Sequence, residues 1–181
     1  MLFRSTETVV ESDIEALIPD FYVEADSERL DIYRRLYRAS EAEELRSMRD
    51  ELRDRFGEYP AEVENLFRLV ELRLAASKAG YPKISVRGGL LTLTLPDASD
   101  ERFYGKSGDA ATKKDGDASA PFQKIMEDIS RDKKKRAQLR QFGKELALEF
   151  PLEDAVDVNK RLEEARATLD RIVVMTTVLS S

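Results

Sequence analysis

Three groups of residues could do chemistry. The first is carboxylate, with 36 Asp+Glu in the chain. Acid–base hydrolysis needs one carboxyl group with a raised pKa in a cleft. Here the carboxylates stand mainly on helical faces beside basic neighbours, and no acidic cluster marks a cleft or a divalent-metal site. The second group is Arg131-Asp132-Lys133-Lys134-Lys135-Arg136. Cations clustered on one face would track phosphates. Six consecutive residues instead spread around a helix, Asp132 interrupts them, and the chain carries a net charge of −6. A solvated helix face is the better reading. A nucleic-acid-binding module using Lys133, Lys134, Lys135 and Arg136 is the alternative.

The third group is Asp50-Glu51-Leu52-Arg53-Asp54-Arg55-Phe56-Gly57. Glu44, Ser47, Glu51 and Asp54 project from the helix side opposite its apolar stripe. Asp54 stands in the last turn, where exposed carbonyls favour cations. The mismatch is small, about 0.3–1 kcal/mol, and Arg55 four residues after Glu51 can offset it. Local ion pairing is the plainer reading. An acidic patch kept for a basic partner is the sharper one.

What is absent narrows the chemistry further. With no Cys, His or Trp, there is no thiolate, disulfide or Cys/His zinc site and no imidazole base. No apolar run approaches the roughly 20 residues that span a bilayer. The start, Met1-Leu2-Phe3-Arg4-Ser5, is too short in apolar residues for a secretory signal. A cytoplasmic protein without a membrane partner is expected. Charged residues make up 36% of the chain, against about 25% in an average domain, which suits long solvated helices. A length of 181 residues fits one domain, or one with an appendage.

Patterning supplies the elements that would position these groups. Thr8, Val9 and Val10 open an entry strand whose alternation runs through Ile14, Ala16 and Ile18, and Phe21-Tyr22 pin the following loop. Asp26 or Ser27 caps a helix with Leu30, Tyr33, Leu36 and Tyr37 on one face and Arg29, Arg34, Arg35 and Arg38 on the rest. Ser40 to Glu43 has the form of a capping box. The helix it opens carries a narrow stripe of Leu45, Met48, Leu52 and Phe56 and stops at Gly57. Pro60 starts a third helix. Its apolar residues, Val63 to Ala75, cover most of the circumference, so it is the central one. It ends at Gly80. Ile84 and Val86, then Leu91, Leu93 and Leu95, alternate around Gly88-Gly89, a hairpin signal.

Residues 97–120 read as a mobile loop, with a short edge strand at Phe103-Tyr104. Phe122, Ile125, Met126, Ile129, Leu139, Phe142, Leu146 and Phe150 continue with helical spacing up to Pro151. Val158, Leu162, Ala165, Leu169, Ile172, Thr176 and Leu179 follow in alternating steps of four and three, which is heptad spacing. This tail can dock on its own domain or self-associate through 158–179.

Ile18-Pro19-Asp20-Phe21-Tyr22, then Arg29-Leu30-Asp31-Ile32-Tyr33-Arg34-Arg35-Leu36, then Glu51-Leu52-Arg53-Asp54-Arg55-Phe56-Gly57-Glu58-Tyr59-Pro60 resemble the C-terminal domain of the bacterial transcription-repair coupling factors (the Mfd family). The long helix and the Gly88-Gly89 hairpin follow in order. Residues 127–146 resemble that family's last helix, so the likeness spans about 9–150, while 151–181 extends beyond it. The resemblance implies a parent that is an ATP-driven double-stranded-DNA translocase, whose ATP and Mg sites lie in motor segments outside this chain. It implies a non-catalytic, cofactor-free, autoinhibitory domain. That domain packs on the parent's N-terminal UvrB-like module, covers the UvrA-docking surface and restrains the motor until RNA polymerase engages, without touching nucleic acid directly. The family's acidic contacts fall on Glu51 and Asp54 here, with Glu44 and Ser47 as neighbours. The expected fold is α+β: several helices on a small, mostly antiparallel sheet over 1–150, with a helical extension over 151–181.

Overall fold

The computed structural model describes residues 8–105, 120–131, 137–154 and 156–177. Among them are six helices and one five-stranded sheet. The fold is α+β.

Three helices form the first layer. Helix α1 is Asp26–Arg38, α2 is Ala42–Phe56 and α3 is Ala61–Lys78. Ile32 and Leu36 of α1, Leu45, Met48 and Leu52 of α2, and Val63, Phe67, Val70 and Leu74 of α3 close one apolar core. The caps differ from expectation. Ala25 precedes α1, so Asp26 lies inside the first turn, where its charge suits the dipole. Glu41 precedes α2 without a side-chain cap; Ser40 lies one residue before the cap position, and its hydroxyl donates to Glu44 at 3.2 Å. Pro60 sits just before α3 rather than at its first position.

The opposite side of α3 carries Leu69, Leu72 and Ala76 into a second core, formed with the sheet. A helix buried on two sides must be apolar nearly all round, and α3 is. Strand β1 is Val9–Ser12, β2 is Lys83–Arg87 and β3 is Leu90–Thr94. β1 runs parallel to β2, and β2 and β3 form the expected hairpin across Gly88 and Gly89, both at positive φ. β1 ends at Ser12, so Ile14 and Ile18 are buried from irregular chain. Only one aromatic pins this segment: Phe21 is 73% exposed, while Tyr22 packs edge-on against Phe56.

Two further expectations are corrected. Phe103-Tyr104 is not an edge strand but belongs to helix α4, Glu101–Tyr104. The Asp100 carboxylate accepts the Arg102 and Phe103 backbone N–H groups at 3.0 and 3.3 Å, and Phe103 is buried beside Tyr81. The stretch 121–150 is not all helix. Helix α5 is Pro121–Arg131, and a second hairpin follows, β4 at Gln138–Phe142 and β5 at Glu145–Pro151. Gly143 at φ +61° makes its tight turn. Leu146, Leu148 and Phe150 alternate onto the buried face, and Leu148 stands opposite Leu93 of β3. The sheet order is β1-β2-β3-β5-β4. Residues 106–119 of the expected loop lie outside the described residues.

Helix α6, Val158–Thr177, carries the heptad stripe. Leu162, Ala165, Leu169 and Ile172 are buried in the sheet core of the same chain. Arg161, nearly buried, reaches Asp13 at 3.1 Å, and Asp13 accepts the Gly88 N–H at 2.9 Å. The tail is thereby tied to the segment that follows β1 and, through it, to the turn of the first hairpin.

Candidate interaction site

The apolar stripe of α2 faces the core, so its two flanks meet α1 and α3 and its back faces solvent. On the α3 flank, Arg49 forks onto Glu64 at 2.8 and 3.1 Å and reaches Glu71 at 3.0 Å. On the α1 flank, Arg35 donates both terminal nitrogens to Glu51, Nη1 to Oε1 at 2.9 Å and Nη2 to Oε2 at 2.6 Å. Arg55 adds a bond to Oε1 at 3.2 Å and binds Glu28 at 2.6 Å. The planar guanidinium matches both carboxylate oxygens at once. The Arg35 hydrogen bonds hold the Glu51 carboxyl below its ordinary range, against the opposing effect of partial burial. Glu51 is therefore a tie between α1 and α2.

Asp54 is different. It is exposed, and no ion pair engages it among the described residues. Asp50, one turn earlier, is also open to solvent and 4.0 Å from Arg53. Asp50, Glu51, Arg53 and Asp54 line a shallow concavity on the back of α2. Arg53 leans away over the Tyr59 ring, 5.2 Å from its centroid, and binds Glu58 at 3.2 Å. The Tyr22 hydroxyl lies 3.1 Å from the Leu52 carbonyl and 3.0 Å from that of Gly57. It thereby bridges the last turn of α2 to the glycine that stops the helix. Glu44 and Ser47 are exposed on the same helix, and Glu44 accepts from Ser40.

Of the four residues expected here, Asp54, Glu44 and Ser47 are presented to solvent, and Glu51 is occupied internally. Asp50 is the residue sequence reasoning left out of the site, although its i, i+4 spacing from Asp54 places both on one face. Arg35 and Glu28 were missed as partners because their contacts join separate helices.

A pair of open carboxylates one turn apart can receive a cationic side chain. The neighbouring Glu51 carboxyl is held low by the Arg35 hydrogen bonds, whereas a general acid needs a raised value. Among the described residues no group of three or more Asp or Glu is arranged to hold a metal ion, and no helix is long and apolar enough to cross a membrane. The basic run Lys133, Lys134, Lys135 and Arg136 lies outside the described residues.

A model of the TRCF domain matches residues 12–105, just over half of the chain and including all of α2. The chain belongs to the TRCF domain family. The chain is 32% identical over 100 residues to a transcription-repair-coupling factor of Staphylococcus haemolyticus (strain JCSC1435), covering 55% of the chain and 9% of that relative. The factor of Bacillus subtilis (strain 168) is 30% identical over 100 residues, covering 55% of the chain and 8% of the relative. The chain thus spans about a tenth or less of the length of these curated relatives. A crystal structure of the C-terminal domain of a transcription-repair coupling factor superposes with a TM-score of 0.70 at 16% identity, covering 96% of each chain. That likeness establishes the shared fold.

The internal role of Glu51 has a pH signature. A depressed folded pKa stabilises the domain above the unfolded glutamate value of 4.5, and that contribution is lost as pH falls through the lower folded value. Arg35 and Glu51 side chains are about a third exposed, so the pair contributes about 1 kcal/mol or less. Glu51→Gln should lower neutral-pH stability by about that amount and flatten the acid limb of a stability–pH profile from urea melts. Asp54→Asn should keep neutral-pH stability within about 0.5 kcal/mol of wild type.

Proposed function

We propose that this TRCF domain is a non-catalytic, autoinhibitory interaction module of a transcription-repair coupling factor. In this reading it docks the back of α2 on the parent's N-terminal UvrB-like module, masks the UvrA-docking surface and restrains the ATP-driven motor. RNA polymerase engagement then shifts the population to an open form. The single observation that carries the reading is the open Asp50–Asp54 face on the helix holding the Glu-Leu-x-Asp-Arg-Phe-Gly motif. Partner arginines would meet it through charge-assisted bonds. A polar contact of this kind suits a clamp that must release. The module itself needs no cofactor; ATP and Mg belong to the motor segments of the longer parent.

The test is binding in trans to the purified UvrB-like module. Asp54→Arg should weaken binding at least tenfold, which is about 1.4 kcal/mol, with an unchanged thermal melt. Glu51→Arg/Asp54→Arg should abolish binding but also cost stability through loss of the Arg35 fork. The UvrA competitor should lose its access when wild-type domain is added. Binding indifferent to Asp54→Arg would remove α2 from the interface.

A further inference from the structure

Helix α1 carries more apolar surface than its core uses. Ile32 and Leu36 enter the core. Leu30 and Tyr37 remain 50% and 60% exposed. They are seven residues apart, so they share one side of the helix. Tyr33, between them, has its hydroxyl 2.7 Å from the Ile18 backbone N–H, which donates to it. The arginines of α1 divide in the same way. Arg29 donates to the Val23 and Glu24 carbonyls at 2.6 and 2.9 Å, and Arg35 is held by Glu51. Arg34 and Arg38 are exposed and have no ion pair among the described residues.

Leu30, Arg34, Tyr37 and Arg38 stand at i, i+4, i+7 and i+8, one continuous helical stripe. Exposed Leu and Tyr beside Arg match the aromatic- and arginine-rich make-up of protein interfaces. Two exposed cations that close no ion pair among the described residues call for carboxylates opposite. Two cations are too few to track a phosphate backbone. We propose that this stripe is a second docking surface, for an acidic amphipathic helix of a partner protein whose apolar anchors seat on Leu30 and Tyr37 and whose carboxylates meet Arg34 and Arg38. Its charge is opposite in sign to the α2 face, and it stands whether or not α2 binds the UvrB-like module.

The test titrates the isotope-labelled 181-residue chain with two synthetic amphipathic helical peptides. Both carry the same Leu/Phe stripe; one bears Glu at its other positions, the other Lys. The acidic peptide should give saturable amide shifts centred on α1 and bind at least tenfold more tightly than its Lys twin. Arg34→Glu/Arg38→Glu should invert that preference. Leu30→Ser/Tyr37→Ser should lose at least tenfold in affinity for the acidic peptide with circular dichroism unchanged. Should that apolar variant fail to fold, the arginine variant still decides. Equal binding of the two peptides, shifts mapping to α2, or no saturable shift would overturn the proposal. So would α1 line broadening that grows with protein concentration alone, the sign of a second copy. Tighter binding of a single-stranded oligonucleotide to the same amides would also overturn it.

Discussion

Leu169→Asp should unfold the whole domain rather than release a tail. Leu169 is fully buried in the core that also holds Ile84, Leu93 and Leu148. Truncating a buried Leu alone costs about 2–5 kcal/mol. A carboxylate in that site adds a desolvation cost of several kcal/mol, or is forced to stay protonated. Total stability of a domain is about 5–15 kcal/mol, so the substitution removes most of it. The expected result is loss of the cooperative urea transition, read by far-ultraviolet circular dichroism and tyrosine fluorescence together. Val174→Asp, on the exposed side of the same helix at 64% exposure, should stay within about 0.5 kcal/mol of wild type. A Leu169→Asp protein that loses only one helix's signal, and still melts cooperatively, would make 158–177 an appendage.

Phe67→Ala should cost about 3–5 kcal/mol. The ring is fully buried in the three-helix core. The Arg49 guanidinium lies 4.8 Å from its centroid, and Tyr59 packs at 6.0 Å. Arg49 is held over the ring by Glu64 and Glu71. Removing the ring therefore leaves a cavity and also withdraws the face on which a half-buried cation rests. A cation–π contact is worth about 0.5–2 kcal/mol depending on desolvation. Arg49→Met with Phe67→Ala should accordingly show a coupling energy of about 0.5–2 kcal/mol in a double-mutant cycle by urea denaturation. Additive effects would mean that Arg49 acts only through its carboxylates.

The two candidate surfaces differ in how far residues alone revealed them. Asp54, Glu44 and Ser47 were legible because helical spacing fixes which residues share an outward face. The occupation of Glu51 was half legible: Arg55 is one turn away, but the fork comes from Arg35 on another helix. The α1 stripe was misread. Leu30, Tyr33, Leu36 and Tyr37 look like one buried face, yet Ile32 rather than Leu30 or Tyr37 joins Leu36 in the core. Both sets repeat at helical spacing, and only the position of α2 and α3 selects between them.

What the residues by themselves determined is local. α1, α2, α3 and the Gly88-Gly89 hairpin follow from apolar periodicity and turn chemistry, which act within a few residues. The heptad stripe of α6 likewise declares a buried face. Tertiary structure decided the rest. Leu139, Phe142, Leu146 and Phe150 fit a helix by spacing, while Leu146, Leu148 and Phe150 fit a strand. The choice fell to β5 pairing with β3, through Leu93 and Leu148. The destination of the α6 stripe was equally open until the sheet core and the Arg161–Asp13 contact received it. Periodicity specifies that a face must be buried; which surface buries it depends on contacts between segments far apart in the chain, and those are set only when the whole core closes.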